Sequence, residues 1–539
     1  MAAPLQNFSR AFRIVVRRVL SLMALRFTQF SHESRLPRDE VPAPDVANGT
    51  TFGRRLTGNG RLSGALHTLG YYSTDVCLGS PGRRFDLIVD TGSSITAVPC
   101  STCRQCGAHR CGRTGCFDPK RSPSYQPVDC HKPPTGFSCE KCAAANRCQY
   151  SVHYTEGSAI QGHVVTDYAH FTRSSAAGVS ETVSTRVYFG CQTLETGMFH
   201  RQEADGIMGL QPPRARARVP SFLTSLVHQQ KAASEAFSLC LSDRTGLFLL
   251  GGQPDPRLLL ARSALSLPMD RTARARYTLS LSEILVSGAG KNNGTYMRLA
   301  GVPASSYSPT LVDSGTTFVY VSTPLFKGLH AHLKATTPSL TREGGKVCAY
   351  LSDAQLAAMP NLRFMFASQS TPLLVRPHQY MVEFPKISAG SRAGTRHLCA
   401  AIFDNQRGGT VIGASIMRQR EVIFDLASSM ITFLDADCSA TTPATSAMRG
   451  AYAFAPCPKS NTSEAAAGIL TGPGRIADAV KSFLSRRAGS SSTPIELPRA
   501  TSVRTGRGGK ENAVIAQQRM RKRWAARRAA ASSAHSRPP

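Results

Sequence analysis

Hydrophobic and polar positions in the middle of the chain form short segments, each interrupted by Gly, Pro, Ser or Asn. Short segments rich in β-branched and aromatic residues predict β-strands, because these side chains pack well on a pleated sheet. Helical signals are few, and the best of them is at 325–333. The pattern between 66 and 438 therefore predicts an all-β fold with several sheets. The strands it predicts include 71–78, 85–89, 187–190, 247–250, 277–281, 318–321 and 422–424.

One of these strand patterns occurs twice. Residues 85–94 end an apolar segment in Asp-Thr-Gly-Ser, and residues 310–317 end another in Asp-Ser-Gly-Thr. Each copy is followed later by two apolar residues and a glycine, at 207–209 and at 411–413. Repetition of this kind indicates a duplicated unit. We expect two related lobes, 66–255 and 256–438, each supplying one aspartate.

The two aspartates, Asp90 and Asp313, are the candidate catalytic residues. A single Asp-Thr-Gly would fit an ordinary turn, but two copies at the ends of apolar strands indicate a paired site. Two adjacent carboxylates share one proton, so one can accept a proton from water while the other donates to a substrate carbonyl. Neighbouring hydroxyl groups would orient the carboxylates, and glycines would allow close backbone approach. These supporting residues are Thr91, Gly92, Ser93, Ser314, Gly315 and Thr316.

This pattern resembles the pepsin-like (A1-type) aspartic endopeptidases from about 66 to 438. The resemblance implies two β-lobes, an extended peptide in the cleft between them, no cofactor, and no metal. It also implies a hairpin flap carrying a tyrosine in a Tyr-x-x-Gly-Ser context. The segment from Tyr154 to Ser158 matches that context. We therefore expect Tyr154 to be the flap tyrosine.

A cysteine-rich insert at 100–148 makes the chain most similar to the plasmepsin V and nepenthesin-type branch of that family. In that branch a flap glutamate and a nearby glutamine bind a substrate arginine. Glu156, beside Gly157, matches the glutamate, and Gln202 is the candidate glutamine. Many family members have a tryptophan seven residues after the first aspartate, where this chain has Ala97. Plasmepsin V has a flap cysteine at the position of Thr155.

The 16 cysteines give information on the cellular compartment in which the protein folds. The spacing of the first four insert cysteines superficially resembles an iron–sulfur ligand run, but its last gap and the following residue differ from that run. Disulfides in an oxidising compartment are the preferred interpretation. Nine cysteines in the insert leave at least one that needs an outside partner, and Cys191 is a candidate. The candidate disulfide residues are Cys100, Cys103, Cys106, Cys111, Cys116, Cys130, Cys139, Cys142, Cys148, Cys191, Cys348 and Cys399.

The net charge of +30 is concentrated at the ends of the chain. Residues 1–65 carry +6, residues 439–539 carry +13, and the long middle carries +11. The first 32 residues fit a leader, either a secretory signal or a transit peptide, and 33–65 fit a prosegment. The basic stretch 439–539 is expected to be a disordered tail. The charge therefore does not indicate a nucleic-acid-binding fold, and the partner of the tail stays open.

The leading interpretation is a monomeric endopeptidase of the secretory pathway, acting on extended polypeptides with limited, processing-type specificity. No apolar stretch is long enough for a membrane-spanning helix. The endoplasmic reticulum, a vacuole and the exterior are all compatible compartments. The alternatives are a degradative vacuolar-type protease, or a catalytically weak peptide-binding protein with a nucleic-acid-tethering tail.

Overall fold

The computed structural model describes residues 60–457, apart from several short stretches. The predicted leader, most of the predicted prosegment and the segment 458–539 lie outside the described residues, as does Cys111. The undescribed internal stretches are 65, 67–68, 108–115, 135–136, 175–179, 213–218, 263, 271–275, 289–294, 344–345, 385–393 and 407.

Strands dominate the first half of the described chain, which confirms the all-β prediction. They are β1 (Arg61–Gly64), β2 (Tyr72–Leu78), β3 (Arg83–Asp90), β4 (Ala97–Pro99), β5 (Gln126–Pro127), β6 (Lys141–Ala143), β7 (Arg147–His153), β8 (Ala159–Ser174), β9 (Ser180–Glu195), β10 (Gly206–Gly209), β11 (Ala236–Leu241), β12 (Thr245–Leu250) and β13 (Gln253–Pro254). Two short helices accompany them, α1 (Phe222–His228) and α2 (Pro256–Ala261).

The second half continues in the same way. Its strands are β14 (Leu265–Pro268), β15 (Thr278–Leu279), β16 (Leu281–Ser287), β17 (Tyr296–Arg298), β18 (Thr310–Asp313), β19 (Val319–Val321), β20 (Thr341–Glu343), β21 (Lys346–Leu351), β22 (Leu362–Phe366), β23 (Gln369–Val375), β24 (Met381–Glu383), β25 (Arg396–Ala400), β26 (Ile402–Asp404), β27 (Thr410–Gly413), β28 (Arg420–Asp425), β29 (Met430–Asp435), β30 (Met448–Arg449) and β31 (Tyr452–Phe454). Its helices are α3 (Thr323–Thr336), α4 (Asp353–Ala357), α5 (Pro377–Tyr380) and α6 (Ala414–Met417).

The sequence repeat corresponds to a repeated strand arrangement. In the first lobe β10 runs parallel to β3 with Gly209 opposite Asp90, and antiparallel to β4. In the second lobe β27 runs parallel to β18 with Gly413 opposite Asp313, and antiparallel to β19. Because the register is the same in both lobes, each aspartate leaves its strand at an equivalent point.

The two lobes share one long sheet. Strand β28 from the second half pairs with β11 from the first half, with Phe237 opposite Phe424. The rings of these two residues stack with centroids 4.7 Å apart. Both side chains are fully buried. Apolar burial of this kind is the main favourable term in folding, so the shared sheet holds the lobes together.

Strand β1 belongs to the folded body, although the sequence predicted a possible prosegment up to 65. It lies between β12 and β2, with Leu62 opposite both Gly246 and Thr74. Leu62 is 1% exposed, and Leu66 is fully buried. The apolar residues at 62 and 66 therefore build the core, which the composition of the surrounding polar segment did not indicate.

The C-terminal strap, residues 446–457, corrects the expectation that the tail begins at 439. Strand β31 within it pairs with both β12 and β8 of the first lobe. Phe454 is buried, with its ring 5.0 Å from that of Phe171. A disulfide joins Cys457 to Cys77 of β2. The strap was missed because its strand β31 is only three residues long and follows a stretch rich in Ala, Thr and Ser.

Seven disulfides are present among the described residues, and two of them join residues that the sequence did not select. These two are Cys77–Cys457 and Cys240–Cys438. The insert sends one bond outward, from Cys100 to Cys191. The others are Cys103–Cys106, Cys130–Cys142, Cys139–Cys148 and Cys348–Cys399.

Among the described residues, no helix combines the length and apolar character that crossing a membrane requires.

Candidate active site

The carboxyl groups of Asp90 and Asp313 meet where the two lobes face each other. Asp90 is 8% exposed, and Asp313 is half-buried. The two side chains lie within hydrogen-bonding contact. The repeated strand register described above therefore brings together the two aspartates that the sequence singled out.

Each carboxylate is held by the same pair of donors from its own loop. Asp90 accepts hydrogen bonds from the Gly92 backbone nitrogen at 2.7 Å and from the Ser93 hydroxyl at 2.6 Å. Asp313 accepts the corresponding bonds from the Gly315 nitrogen at 3.0 Å and from the Thr316 hydroxyl at 2.6 Å. These bonds fix both carboxylates in one orientation.

The two aspartate loops are also bonded to each other. The Thr91 hydroxyl accepts from the Ser314 backbone nitrogen at 2.9 Å, and the Ser314 hydroxyl accepts from the Thr91 nitrogen at 3.1 Å. Both hydroxyls donate onward to the opposite lobe, to the backbone carbonyls of Val312 and Val89. All these groups are buried, so their bonds cannot be exchanged for bonds to water without cost.

Glycine is required at the two positions that face the carboxylates. A Cβ at Gly92 would lie 2.7 Å from Oδ1 of Asp313, and a Cβ at Gly315 would collide with the Asp90 carboxyl group. Each loop therefore packs against the opposite aspartate only because a side chain is absent.

The electrostatic environment favours a proton on Asp90. Burial raises the pKa of Asp90 well above its ordinary value, and the nearby Asp313 carboxyl group raises it further. The bonds from Ser93 and Gly92 favour the ionised form and oppose that shift. A pair of carboxyl groups in this situation shares one proton over a range of pH, which suits combined acid and base chemistry.

A hairpin formed by β7 and β8 covers the aspartates, and its turn is residues 154–158. The turn is closed by bonds from the Tyr154 nitrogen to the Ser158 carbonyl at 2.8 Å and from the Gly157 nitrogen to the Tyr154 carbonyl at 3.0 Å. Gly157 has a φ of +96°, which disfavours any side chain. The disulfides Cys130–Cys142 and Cys139–Cys148 brace the base of this hairpin.

Tyr154 points inward from this turn. Its hydroxyl is buried, and its ring lies 4.9 Å from the ring of Phe199. Burial raises the pKa of the Tyr154 phenol, and the nearby Ser93 hydroxyl opposes that rise. The phenol therefore stays neutral while it faces the catalytic loop of the first lobe.

Position 97, where many family members have a tryptophan, is an alanine in the core of the first lobe. Ala97 is fully buried beside Gly190, its partner on β9. The Tyr150 ring packs directly against Gly190, where a Cβ would lie 2.5 Å from the ring. The absence of a side chain at Gly190 thus leaves room for the buried Tyr150, which the sequence analysis did not anticipate.

A cleft of about 500 Å³ runs between the flap and the aspartates. Glu156 and Gln202 both line it, together with the two catalytic candidates. The Gln202 side-chain amide donates to the Ala204 carbonyl at 3.3 Å. The structure therefore brings the candidate specificity residues to the catalytic cleft. Other residues of the wall are Tyr71, Met198, Phe199, Arg276, Leu311 and Val411.

The sequence analysis missed Tyr71, which also lines this cleft. Its hydroxyl accepts hydrogen bonds from the backbone nitrogens of Glu203 at 3.1 Å and Ala204 at 3.0 Å. No local sequence signal could identify it, because its partners are more than 130 residues away in the chain.

Within the part of the chain that the structure describes, two clusters of cysteine and histidine have ligand atoms close enough together for a metal ion. They are Cys130, His131 and Cys142, and Cys348, His397 and Cys399. In both clusters the two sulfur atoms are bonded to each other as a disulfide. A disulfide sulfur carries no thiolate, which is the form that binds metals, so these residues do not fit a metal site.

Both lobes match families of known proteins. Residues 72–252 match the family described as xylanase inhibitor N-terminal, and residues 276–435 match xylanase inhibitor C-terminal. Together these matches cover most of both lobes, including the two aspartate loops.

Individual relatives include proteases of parasites and plants. The chain is 25% identical over 402 residues to aspartic protease 5 of Toxoplasma gondii, which covers 71% of this chain but 38% of that protein. It is 21% identical over 453 residues to plasmepsin V of Plasmodium falciparum, covering 70% of this chain and 73% of the relative. It is 25% identical over 403 residues to aspartic proteinase 39 of Arabidopsis thaliana, covering 72% and 78%.

Proposed function

This chain belongs to the pepsin-like (A1-type) aspartic endopeptidases, and we propose that Asp90 and Asp313 hydrolyse peptide bonds of extended polypeptides in the cleft. The observation that carries the proposal is the matched set of bonds around the two carboxylates. Each aspartate has its own glycine amide and its own hydroxyl donor. Two acidic groups are kept in contact in this way despite their mutual repulsion.

The reaction would use a water molecule between the two carboxyl groups. The ionised carboxylate accepts a proton from that water, whose oxygen attacks the carbonyl carbon of the substrate. The protonated carboxyl group donates to the carbonyl oxygen, which gives a tetrahedral diol. Transfer of a proton to the amide nitrogen then breaks the C–N bond, and the two carboxyl groups return to their starting state. No covalent bond to the enzyme forms.

The flap would hold the substrate against the aspartates and limit the access of bulk water. Tyr154 lies above the loop of Asp90, and its neutral phenol can donate a hydrogen bond. Exclusion of water strengthens the electrostatic interactions inside the site.

We further propose that the cleft prefers a substrate arginine. Glu156 and Gln202 line the same cavity from the flap and from the 196–205 loop. A carboxylate partly shielded from water suits a guanidinium, which it can bind through two parallel hydrogen bonds. A preference of this kind would make the enzyme a processing protease of limited specificity rather than a degradative one.

The disulfides support a place in the secretory pathway. The seven disulfides found among the described residues are distributed over both lobes, as expected of a protein that folds in an oxidising compartment. The endoplasmic reticulum, a vacuole and the exterior all fit this condition.

A peptide-library cleavage profile of the purified protein across pH tests the proposal. We expect cleavage at mildly acidic pH, dependence on both aspartates, and enrichment of arginine on one side of the scissile bond. Binding of peptides without cleavage would instead indicate an inhibitor-like or peptide-binding protein. The matching families are named after xylanase inhibitors, so this outcome is a specific alternative. Cleavage without any sequence preference would indicate a degradative enzyme.

A further inference from the structure

The 196–205 loop, which carries Gln202, is tied to the catalytic cleft at several points. At its start, Gly197 has a φ of +68°, and the Met198 nitrogen donates to the Ser158 hydroxyl in the flap turn at 2.9 Å. At its end, the Asp205 nitrogen donates to the Asp86 carbonyl at 2.7 Å, and Asp205 accepts from the Asp86 nitrogen at 2.9 Å. The start of the loop is thus tied to the flap turn, and its end to β3, the strand that carries Asp90.

Between these ends, one side chain holds the segment that follows Gln202. The Tyr71 hydroxyl oxygen accepts from two consecutive backbone nitrogens, those of Glu203 and Ala204. Tyr71 is 9% exposed, so water cannot readily replace these bonds. Burial raises the pKa of Tyr71 to about 12, and the two backbone donors oppose that rise. The phenol therefore stays neutral at any pH at which the enzyme works.

The anchored segment decides where the Gln202 side chain lies. The Gln202 amide donates to the carbonyl of Ala204, one of the two residues whose nitrogens bond to Tyr71. The Gln202 nitrogen donates to the Met198 carbonyl at 3.0 Å, which closes the turn from the other side. Loss of the Tyr71 hydroxyl would leave the buried Ala204 nitrogen and the partly buried Glu203 nitrogen without this acceptor, and the segment would have to move to satisfy them.

We infer that Tyr71 is a positioning residue for substrate selection, whose hydroxyl holds Gln202 in the subsite for a basic side chain opposite Glu156. The inference rests on the proposed arginine preference. The hydrogen bonds of the Tyr71 hydroxyl go to the Glu203 and Ala204 nitrogens and not to the catalytic carboxyl groups. Loss of this hydroxyl should therefore change the discrimination between substrates rather than the rate of the chemical step.

The test compares Tyr71→Phe with Tyr72→Phe. The neighbouring Tyr72 is also buried and also uses its hydroxyl in a hydrogen bond, to the Ser242 carbonyl, but it does not line the cleft. Each variant is assayed with two peptides that differ only by arginine or norleucine at the preferred position. We expect Tyr71→Phe to lower the ratio of kcat/KM values for the two peptides about fivefold to tenfold, mainly through KM. Tyr72→Phe should leave the ratio unchanged.

Amide hydrogen exchange gives a second readout that does not depend on substrate. The amides of Glu203 and Ala204 should exchange faster in Tyr71→Phe than in the wild-type protein or Tyr72→Phe. Unchanged exchange, or equal losses on both peptides, would overturn the inference while the arginine subsite stands. If the wild-type enzyme does not distinguish the two peptides, the arginine subsite is wrong and the inference is overturned with it.

Discussion

The hydroxyl oxygen of Thr91 lies 2.9 Å from the backbone nitrogen of Ser314, and the Ser314 hydroxyl oxygen lies 3.1 Å from the Thr91 nitrogen. Each lobe thereby supplies the hydrogen-bond acceptor for the loop of the other. The relative position of the two aspartates depends on this exchange, because the strands that carry them belong to different lobes.

Replacing Thr91 with Val removes this hydroxyl while keeping the shape of the side chain. The Ser314 nitrogen and the Val312 carbonyl would lose a buried partner, so we expect a loss of about 1–3 kcal/mol in the free energy of unfolding. Activity should fall mainly through kcat. Denaturant unfolding and steady-state kinetics measure the two effects. Thr96→Val is the matched control, since the buried Thr96 hydroxyl has no hydrogen-bond partner among the described residues; this variant should be neutral or more stable.

Replacing either Asp90 or Asp313 with Asn should abolish peptide cleavage. Asparagine cannot share the proton on which the reaction depends, so we expect at least a thousandfold loss, roughly the contribution of acid–base catalysis. Single-turnover assays with a good peptide measure it. Peptide binding, followed separately, should persist in both variants. Substantial cleavage by either variant would contradict the assignment of the catalytic pair.

The Asp90→Asn variant should also change how stability depends on pH. The pKa of Asp90 is raised in the folded protein, so the folded state binds this proton more tightly than the unfolded state. Wild-type stability therefore falls as pH rises through the raised pKa. The variant has no such group, and its Tm should exceed that of the wild type by a few degrees at pH 7 and by less at pH 4. An equal difference at both pH values would show that Asp90 is not perturbed in this direction.

Replacing Glu156 with Gln should selectively slow the cleavage of arginine-containing substrates. The change removes the negative charge and retains much of the side-chain shape, so we expect about a tenfold lower kcat/KM for arginine peptides and little change for norleucine peptides. Glu203→Gln is the control, because Glu203 is exposed nearby and does not line the cleft. The same loss on both peptides would make Glu156 a general flap residue.

Replacing Cys77 and Cys457 together with Ala should destabilise the protein without affecting kcat. This disulfide closes a loop across a sequence separation of 380 residues, and we expect a loss of about 2–4 kcal/mol in the free energy of unfolding. Cys103–Cys106, with a separation of three, is the control, and its removal should cost less. Thermal melts of both double variants provide the comparison. A greater loss of stability on removal of Cys103–Cys106 would contradict the prediction that the Cys77–Cys457 bond of the strap stabilises the fold.

The sequence predicted the parts of the fold and site that short patterns encode. The two aspartate loops, the flap hairpin and the helix near 325–333 all depend on neighbours within about ten residues. The structure has that helix at Thr323–Thr336 and places the two aspartates together. The two-lobe arrangement could be predicted because the same sequence pattern occurs twice in the chain.

Contacts between distant segments could not be predicted in this way. The hydrogen-bond partners of the Tyr71 hydroxyl are backbone nitrogens at 203 and 204, and the Tyr150 ring packs where Gly190 has no side chain. The strap at 446–457 is recognisable only once β8 and β12 are there to pair with it. In each case residues that are distant in the sequence, rather than the local pattern, determine where the side chain or strand lies.

The bond between Cys77 and Cys457 also affects what happens if the enzyme is nicked. A single break of the backbone anywhere between these two residues leaves both fragments covalently joined, because the disulfide links one fragment to the other. A protease working among other proteases would therefore survive one cut in an exposed loop as a two-chain molecule. The fragments would separate only after reduction.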